Sequence, residues 1–350
     1  MSSIGSRNSK SLELSTTNDS QMPQGPEDTV SSLSWSPVAD YLAVSSWDNS
    51  VRVYEVNSST GIGQGRALYN HEGPALCCCW WADGTKVISG GADNAVRAYD
   101  LQSGQSTQIG SHDQPVSGVA AVNVGQPMVA TVSWDRTLKY WDLTKPEPVA
   151  IVQLPERAVS ISSKQRLLVI GCANRQVVTI NLENPSVIFK TIQSPLRHDT
   201  QIVSCQVDGS GYAIGGIEGR CAIQYINPPT ASANFSFKCH RVQQGTTNRP
   251  IDEVYPVTAL DFHPVQNTLV TGGADGTFHV WDKDNRHRLA FTKSLGEPVT
   301  AVAFNAQGTL LAYALGYDWH KGFQFSTPNK KPTVSVHKVN EWEIRPKNRR

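Results

Sequence analysis

The stretch Ser133-Trp134-Asp135-Arg136-Thr137-Leu138-Lys139-Tyr140-Trp141-Asp142 reads as a strand end, a tight turn at Asp135-Arg136, and a second strand whose Leu138 and Tyr140 point inward. Blocks of the same pattern stand at residues 46–54, 91–99 and 273–282. In three of the four, an Asp precedes an aromatic-Asp pair by six residues; in the block at Asp48, Glu55 takes the second acidic place. Weaker copies put Asn174, Glu218 and Asp318 at the turn. The turn positions 48, 93, 135, 174, 218, 275 and 318 are then spaced by 45, 42, 39, 44, 57 and 43 residues. A period of about 40–45 residues is that of a four-stranded repeat. Seven repeats follow, with one insertion between the fifth and sixth.

These blocks resemble the WD-repeat family. The resemblance implies an all-β fold, a seven-bladed WD-repeat β-propeller of four-stranded antiparallel blades round one axis. A blade cannot bury both faces alone, so the seven are expected to form one cooperative domain. The family also implies a hydrogen-bonded tetrad of His, Ser or Thr, Asp and Trp in each good blade. The third blade has all four, as His112, Thr131, Asp135 and Trp141. The second has His71, Ser89 and Asp93, with Tyr99 in the Trp place. The sixth has Thr271, Asp275 and Trp281 but is expected to lack the His. A buried carboxylate needs such partners, so these residues are expected to be structural rather than catalytic.

Apolar content of 39%, charged content of 17% and a net charge of +1 describe an ordinary globular chain. No apolar run approaches the roughly 20 residues of a membrane span, and no membrane insertion is expected. Seven cysteines, none in a Cys-x-x-Cys pair, fit a reducing cytosolic or nuclear compartment. No cofactor or metal is expected. Enzyme motifs (a Gly-x-Ser-x-Gly elbow, His-Glu-x-x-His, a Walker loop) do not occur, so no catalytic residues are assigned.

Residues 1–28 are polar and Ser-rich, and read as mostly disordered, although Leu12 and Leu14 alternate as in a strand. Residues 29–326 carry the propeller. Residues 327–350 form a basic tail that includes a second candidate closing strand at 333–339. Gly61-Ile62-Gly63-Gln64-Gly65 reads as a surface loop. Residues 235–241 read as the outer strand of blade five, and residues 242–253 as an exposed loop.

Blocks beyond the generic repeat narrow the resemblance. They are Leu154-Pro155-Glu156-Arg157, Glu218-Gly219-Arg220, Tyr225-Ile226-Asn227-Pro228-Pro229, Phe237-Lys238-Cys239-His240-Arg241, Phe262-His263-Pro264-Val265, Trp281-Asp282-Lys283-Asp284 and Tyr317-Asp318-Trp319-His320-Lys321-Gly322. Together they resemble the RNA-export-one/Gle-two family of messenger-RNA export factors over roughly residues 25–350. The resemblance implies a monomeric, non-enzymatic adaptor of the nuclear pore complex. It implies a chain in the nucleus and at the nuclear envelope, shuttling to the cytoplasm. Its partner would be an FG nucleoporin, held through a GLEBS segment across one propeller face.

Trp47, Trp134 and Arg220 are the candidates for that face. The two indoles precede turn Asp residues where other blades carry Ala92 and Ala274, and the tetrads do not need them. An Arg beside the fifth turn offers a bidentate site for a carboxylate, unless it pairs with Glu218. The resemblance further implies contact with single-stranded RNA or messenger ribonucleoprotein by the assembled complex, through Phe237, Lys238, Trp281, Lys283 and Arg286. With so small a net charge, that contact should be weak and salt-sensitive. The nearest rival is the related spindle-checkpoint protein, which binds GLEBS-like segments of checkpoint kinases and shares the blocks at Trp47 and Arg220. A ubiquitin-ligase receptor would carry Trp-Asp-x-Arg at a strand end, and this chain has none.

Overall fold

A computed structural model describes residues 11–230, 232–246, 249–319, 321–326 and 330–346. Blade one is the antiparallel sheet of strands Val30–Trp35, Tyr41–Ser46, Ser50–Val56 and Gly63–Asn70. Blades two to five repeat this order, from Ala75–Trp80 through to Phe235–Lys238. Blade six is built from Val257–Phe262, Leu269–Gly273, Phe278–Asp282 and His287–Thr292. The innermost strands of successive blades touch, and that of blade seven, Val299–Phe304, returns to Val30–Trp35. The molecule is a seven-bladed β-propeller.

Alternation along each strand sends apolar residues to both sides of a blade, where the next blade covers them. One cluster joins blades three and four through Val132, Leu138, Tyr140, Leu168, Ile170 and Val178. Polar staples run with it. Ser31 and Ser117 donate hydroxyls to the carbonyls of Ala75 (2.6 Å) and Ala158 (2.8 Å) on the following inner strand. The Trp80 indole donates back to the Ser34 carbonyl on the preceding inner strand at 2.9 Å.

The turn after the second strand of each blade is the point the sequence pattern marks. In six blades the residue directly after the turn position is left-handed: Asn49, Asn94, Arg136, Arg175, Gly219 and Gly276. Asn and Gly tolerate that conformation best, which explains Asp-Asn and Asp-Gly at these sites. Blade seven departs. Gly316 sits in the place of Trp47, so Tyr317, not Asp318, takes the turn position. Among the described residues no tight hairpin follows, and the next strand begins only at Thr333.

Both termini close the ring. Thr333–Lys338 is the third strand of blade seven, and Ser20–Gln21, antiparallel to it, is the fourth. Leu12–Leu14 adds a fifth strand to blade six, parallel to His287–Thr292. Over residues 11–28 the expected disorder gives way to a chain that straps blades six and seven, and Thr333–Lys338 carries the propeller past residue 326; residues 1–10 lie outside the described residues. Leu14 and Met22 supply the reason, since both are buried in clusters between blades. The glycine-rich segment is corrected too, because Gly63 begins the outer strand of blade one. A Cβ there would meet the Met22 sulfur at 2.2 Å, so glycine lets the strap close. The expected loop 242–253 is a hairpin, Arg241–Thr246 paired with Arg249–Val254. The outer strand of blade five ends at Lys238, releasing His240.

Candidate partner-binding face

The tetrads hold the turns that form one face of the ring. In blade three His112 Nδ1 lies 2.8 Å from Asp135 and its Nε2 2.7 Å from Thr131. The Trp141 indole donates to Thr131 at 2.8 Å. Burial opposes the charged form of Asp135, yet hydrogen bonds from Thr137 and His112 outweigh it and hold the carboxyl below its usual range. In blade two His71 bridges Asp93 and Ser89 at 3.0 and 2.7 Å. The fourth member there is Tyr69, whose hydroxyl reaches Ser89 at 2.9 Å. Tyr99, expected in that role, instead stacks on Tyr69 with ring centroids 4.8 Å apart.

Blade six has its histidine after all. His240 reaches Asp275 at 2.9 Å and Thr271 at 2.8 Å, and Trp281 donates to Thr271 at 3.0 Å. The signal was hidden by distance. The tetrad His precedes its Asp by 22 or 23 residues in blades two and three, but by 35 here. The inserted hairpin accounts for the difference. His279 stacks flat on His240 at 4.5 Å, and burial with these neighbours holds its ring well below the usual histidine range. His240, Asp275 and His279 form the one group close enough to hold a metal among the described residues. Both ring nitrogens of His240 are already bonded within the tetrad.

On the face these turns define, Trp47 and Trp134 are 44% and 41% exposed. Each donates its backbone N–H across the blade, to Thr29 and Pro115 at 2.9 and 3.1 Å, so the main chain is fixed while the indole stands free of the tetrad. Arg220 begins the third strand of blade five, half-buried opposite Lys238. It does not pair with Glu218. That carboxylate accepts the Arg197 N–H at 2.9 Å and lies 4.0 Å from His198. Arg241, at the hairpin's foot, donates to the carbonyls of Glu218 and Gly219 at 2.8 and 3.3 Å and so clamps the turn that leads into Arg220. No signal in the sequence marked Arg241 for this.

The five residues expected to meet RNA are not brought to one surface. Phe237 and Trp281 are 3% and 7% exposed and pack on each other with centroids 4.7 Å apart, so neither offers a ring face for stacking. Lys283 is buried, and its ammonium is held by Asp284 at 2.9 Å. Arg286 lies 4.4 Å over the Phe235 ring and bonds the Ser232 carbonyl. Lys238 alone of the five is exposed.

Comparison with known proteins agrees with this architecture. The family described as "WD domain, G-beta repeat" matches residues 19–55, 64–100, 104–142 and 249–282, the blades whose turns carry Asp48, Asp93, Asp135 and Asp275. The chain is 46% identical over 335 residues to "mRNA export factor GLE2" of Chaetomium thermophilum, covering 94% of this chain and 93% of that protein. It is 45% identical to "Poly(A)+ RNA export protein" of Schizosaccharomyces pombe, covering 94% and 93%. It is 38% identical to "Protein Rae1" of Drosophila melanogaster, covering 94% and 96%. With such identity over nearly the full length of each, the chain belongs to the WD-repeat mRNA export factor family of Rae1/Gle2 type.

Proposed function

We propose that the protein is a non-enzymatic adaptor in messenger-RNA export at the nuclear pore, where it binds the GLEBS segment of an FG nucleoporin. Two indoles and one guanidinium, on turns of blades one, three and five, anchor that segment. The observation that carries this reading is the state of Arg220. Glu218, two residues before it, is satisfied elsewhere, and the Arg220 side chain makes no hydrogen bond or ion pair among the described residues. A half-buried cation left in that state suits an acidic side chain from outside. Two indoles at about 40% exposure supply the apolar anchors found at binding hot spots.

Two of these relatives are named for RNA export, and we extend that role to this chain, with residence at the nuclear envelope and passage to the cytoplasm. RNA contact then belongs to the complex rather than the isolated chain. With Phe237 and Trp281 buried, only Lys238 and the basic tail remain as cationic contacts, and affinity should fall steeply with salt. An immobilised GLEBS peptide tests the reading. It should retain the unaltered chain and lose a Trp47→Ala, Trp134→Ala double variant that keeps its melting temperature. Retention of the double variant at full strength would remove the indoles from the site.

A further inference from the structure

Blade six carries one strand more than the other blades, since Leu12–Leu14 lies parallel to its outer strand His287–Thr292. Leu12, Glu13 and Leu14 stand opposite Ala290, Phe291 and Thr292. Ring closure does not call for this strand. Thr333–Lys338 and Ser20–Gln21 complete blade seven, and Met22 is buried between blades seven and one.

The hold on the extra strand is slight. Its ladder is three residues long and parallel, the less stable of the two pairings. Leu14 alone of the three is buried, in a cluster with Phe278, Leu289, Tyr313 and Ile344, while Leu12 and Glu13 are exposed. Lys293 pairs with Glu13 at 2.8 Å in the open, where such pairs contribute little. Beyond the turn at residues 16–19, Asp19 is fixed by His337 and Tyr313. Residues 11–14 can therefore leave their place while the closure of blade seven stays intact. The edge they uncover has a chemistry of its own. Residues 287–293 include the cations Arg288 and Lys293 and no acidic side chain, and the socket of Leu14 lies beside them. An unpaired edge next to an apolar socket takes up an extended segment through main-chain hydrogen bonds, with side chains setting the choice. The present occupant, Leu12-Glu13-Leu14, shows the pattern that fits: apolar, acidic, apolar. We propose that the outer edge of blade six is a strand-accepting site, which residues 11–14 occupy in cis and from which an extended partner segment of that pattern displaces them. The site lies on the rim of the ring, apart from Trp47, Trp134 and Arg220, and does not rest on the GLEBS reading.

The probe is a fluorescently labelled peptide of this chain's own residues 11–18, titrated by anisotropy into the full-length protein. In the unaltered chain the tethered segment competes at a high effective concentration, so the peptide should bind weakly. Full-length Leu14→Asp, whose own strand no longer fills the socket, should bind it at least about tenfold more tightly. A peptide carrying Glu13→Lys should bind that variant less tightly than the native peptide does, because it meets Arg288 and Lys293 with a like charge. Equally weak binding to both chains would overturn the site, and indifference to Glu13→Lys in the peptide would overturn the acidic choice of partner. A concentration-dependent dimer of the unaltered chain, dispersed by the peptide, would make the occupant a second copy and overturn the partner equally. Should Leu14→Asp not fold, Glu13→Lys in the full chain, at an exposed side chain, loosens the same strand and carries the same expectations.

Discussion

At the scale of single residues, position in a repeat decides role more than chemical type does. Trp141 and Trp134 are seven residues apart, yet one is buried with its indole bonded to Thr131 and the other stands half in solvent. The same holds for carboxylates. Asp135 accepts from His112, the Asp113 N–H, and both the N–H and the hydroxyl of Thr137. Asp135→Ala leaves those donors unpaired, at a cost of roughly 1–3 kcal/mol. Thermal denaturation should therefore show a clearly lower midpoint than for Asp142→Ala, whose carboxylate serves an exposed turn at Thr144. Equal midpoints would count against the tetrad as a stabilising unit. This much was legible in the sequence, because strand alternation and a repeated Asp fix the side on which a residue falls. The burial of Phe237 and Trp281 was not, since it depends on how blades five and six meet.

At the scale of elements, the informative departures are those where local pattern and tertiary partner disagree. The N-terminal segment looks disordered by composition, yet its Leu14 and Met22 have buried places waiting on blades six, seven and one. Its closure is held by a buried cluster. His337, on the third strand of blade seven, lies 2.7 Å from Asp19 of the N-terminal strap and 3.1 Å from Glu343 of the short helix Glu341–Ile344. The Tyr313 hydroxyl donates to the other oxygen of Asp19 at 2.9 Å. Burial by itself would lower the His337 pKa, but two carboxylates prevail and push it up to about 9 from the usual 6.5. A raised folded pKa contributes stability that is fully present below pH 6.5 and lost as pH rises through about 9. His337→Gln should thus be destabilised at pH 6 and approach the unaltered chain near pH 10, as followed by denaturant midpoints. A deficit independent of pH would mean that His337 acts by packing alone. Nothing local marked Asp19 as its partner, some 318 residues away in the chain.

At the scale of the whole molecule, the ring turns seven similar hairpins into one surface. Each blade places its turn after the second strand on the same face, so residues far apart in sequence become parts of one site. The repeat spacing made the blade count readable, together with which turns share a face. It left open how the ring closes and where an insertion folds back, because both depend on pairing between distant segments. The family's shared identity covers the whole ring, which fits a protein whose function is a surface rather than a cleft. On the proposed reading this surface receives an acidic, apolar segment at Arg220 and the two indoles. The most direct test of that reading is calorimetric titration of a GLEBS peptide into Arg220→Glu and into the unaltered chain, with circular dichroism on the same samples. Reversal of one partly desolvated charge should weaken binding by at least about two orders of magnitude, each order being about 1.4 kcal/mol, with the melting temperature barely moved. Unchanged affinity in a folded Arg220→Glu would contradict the account.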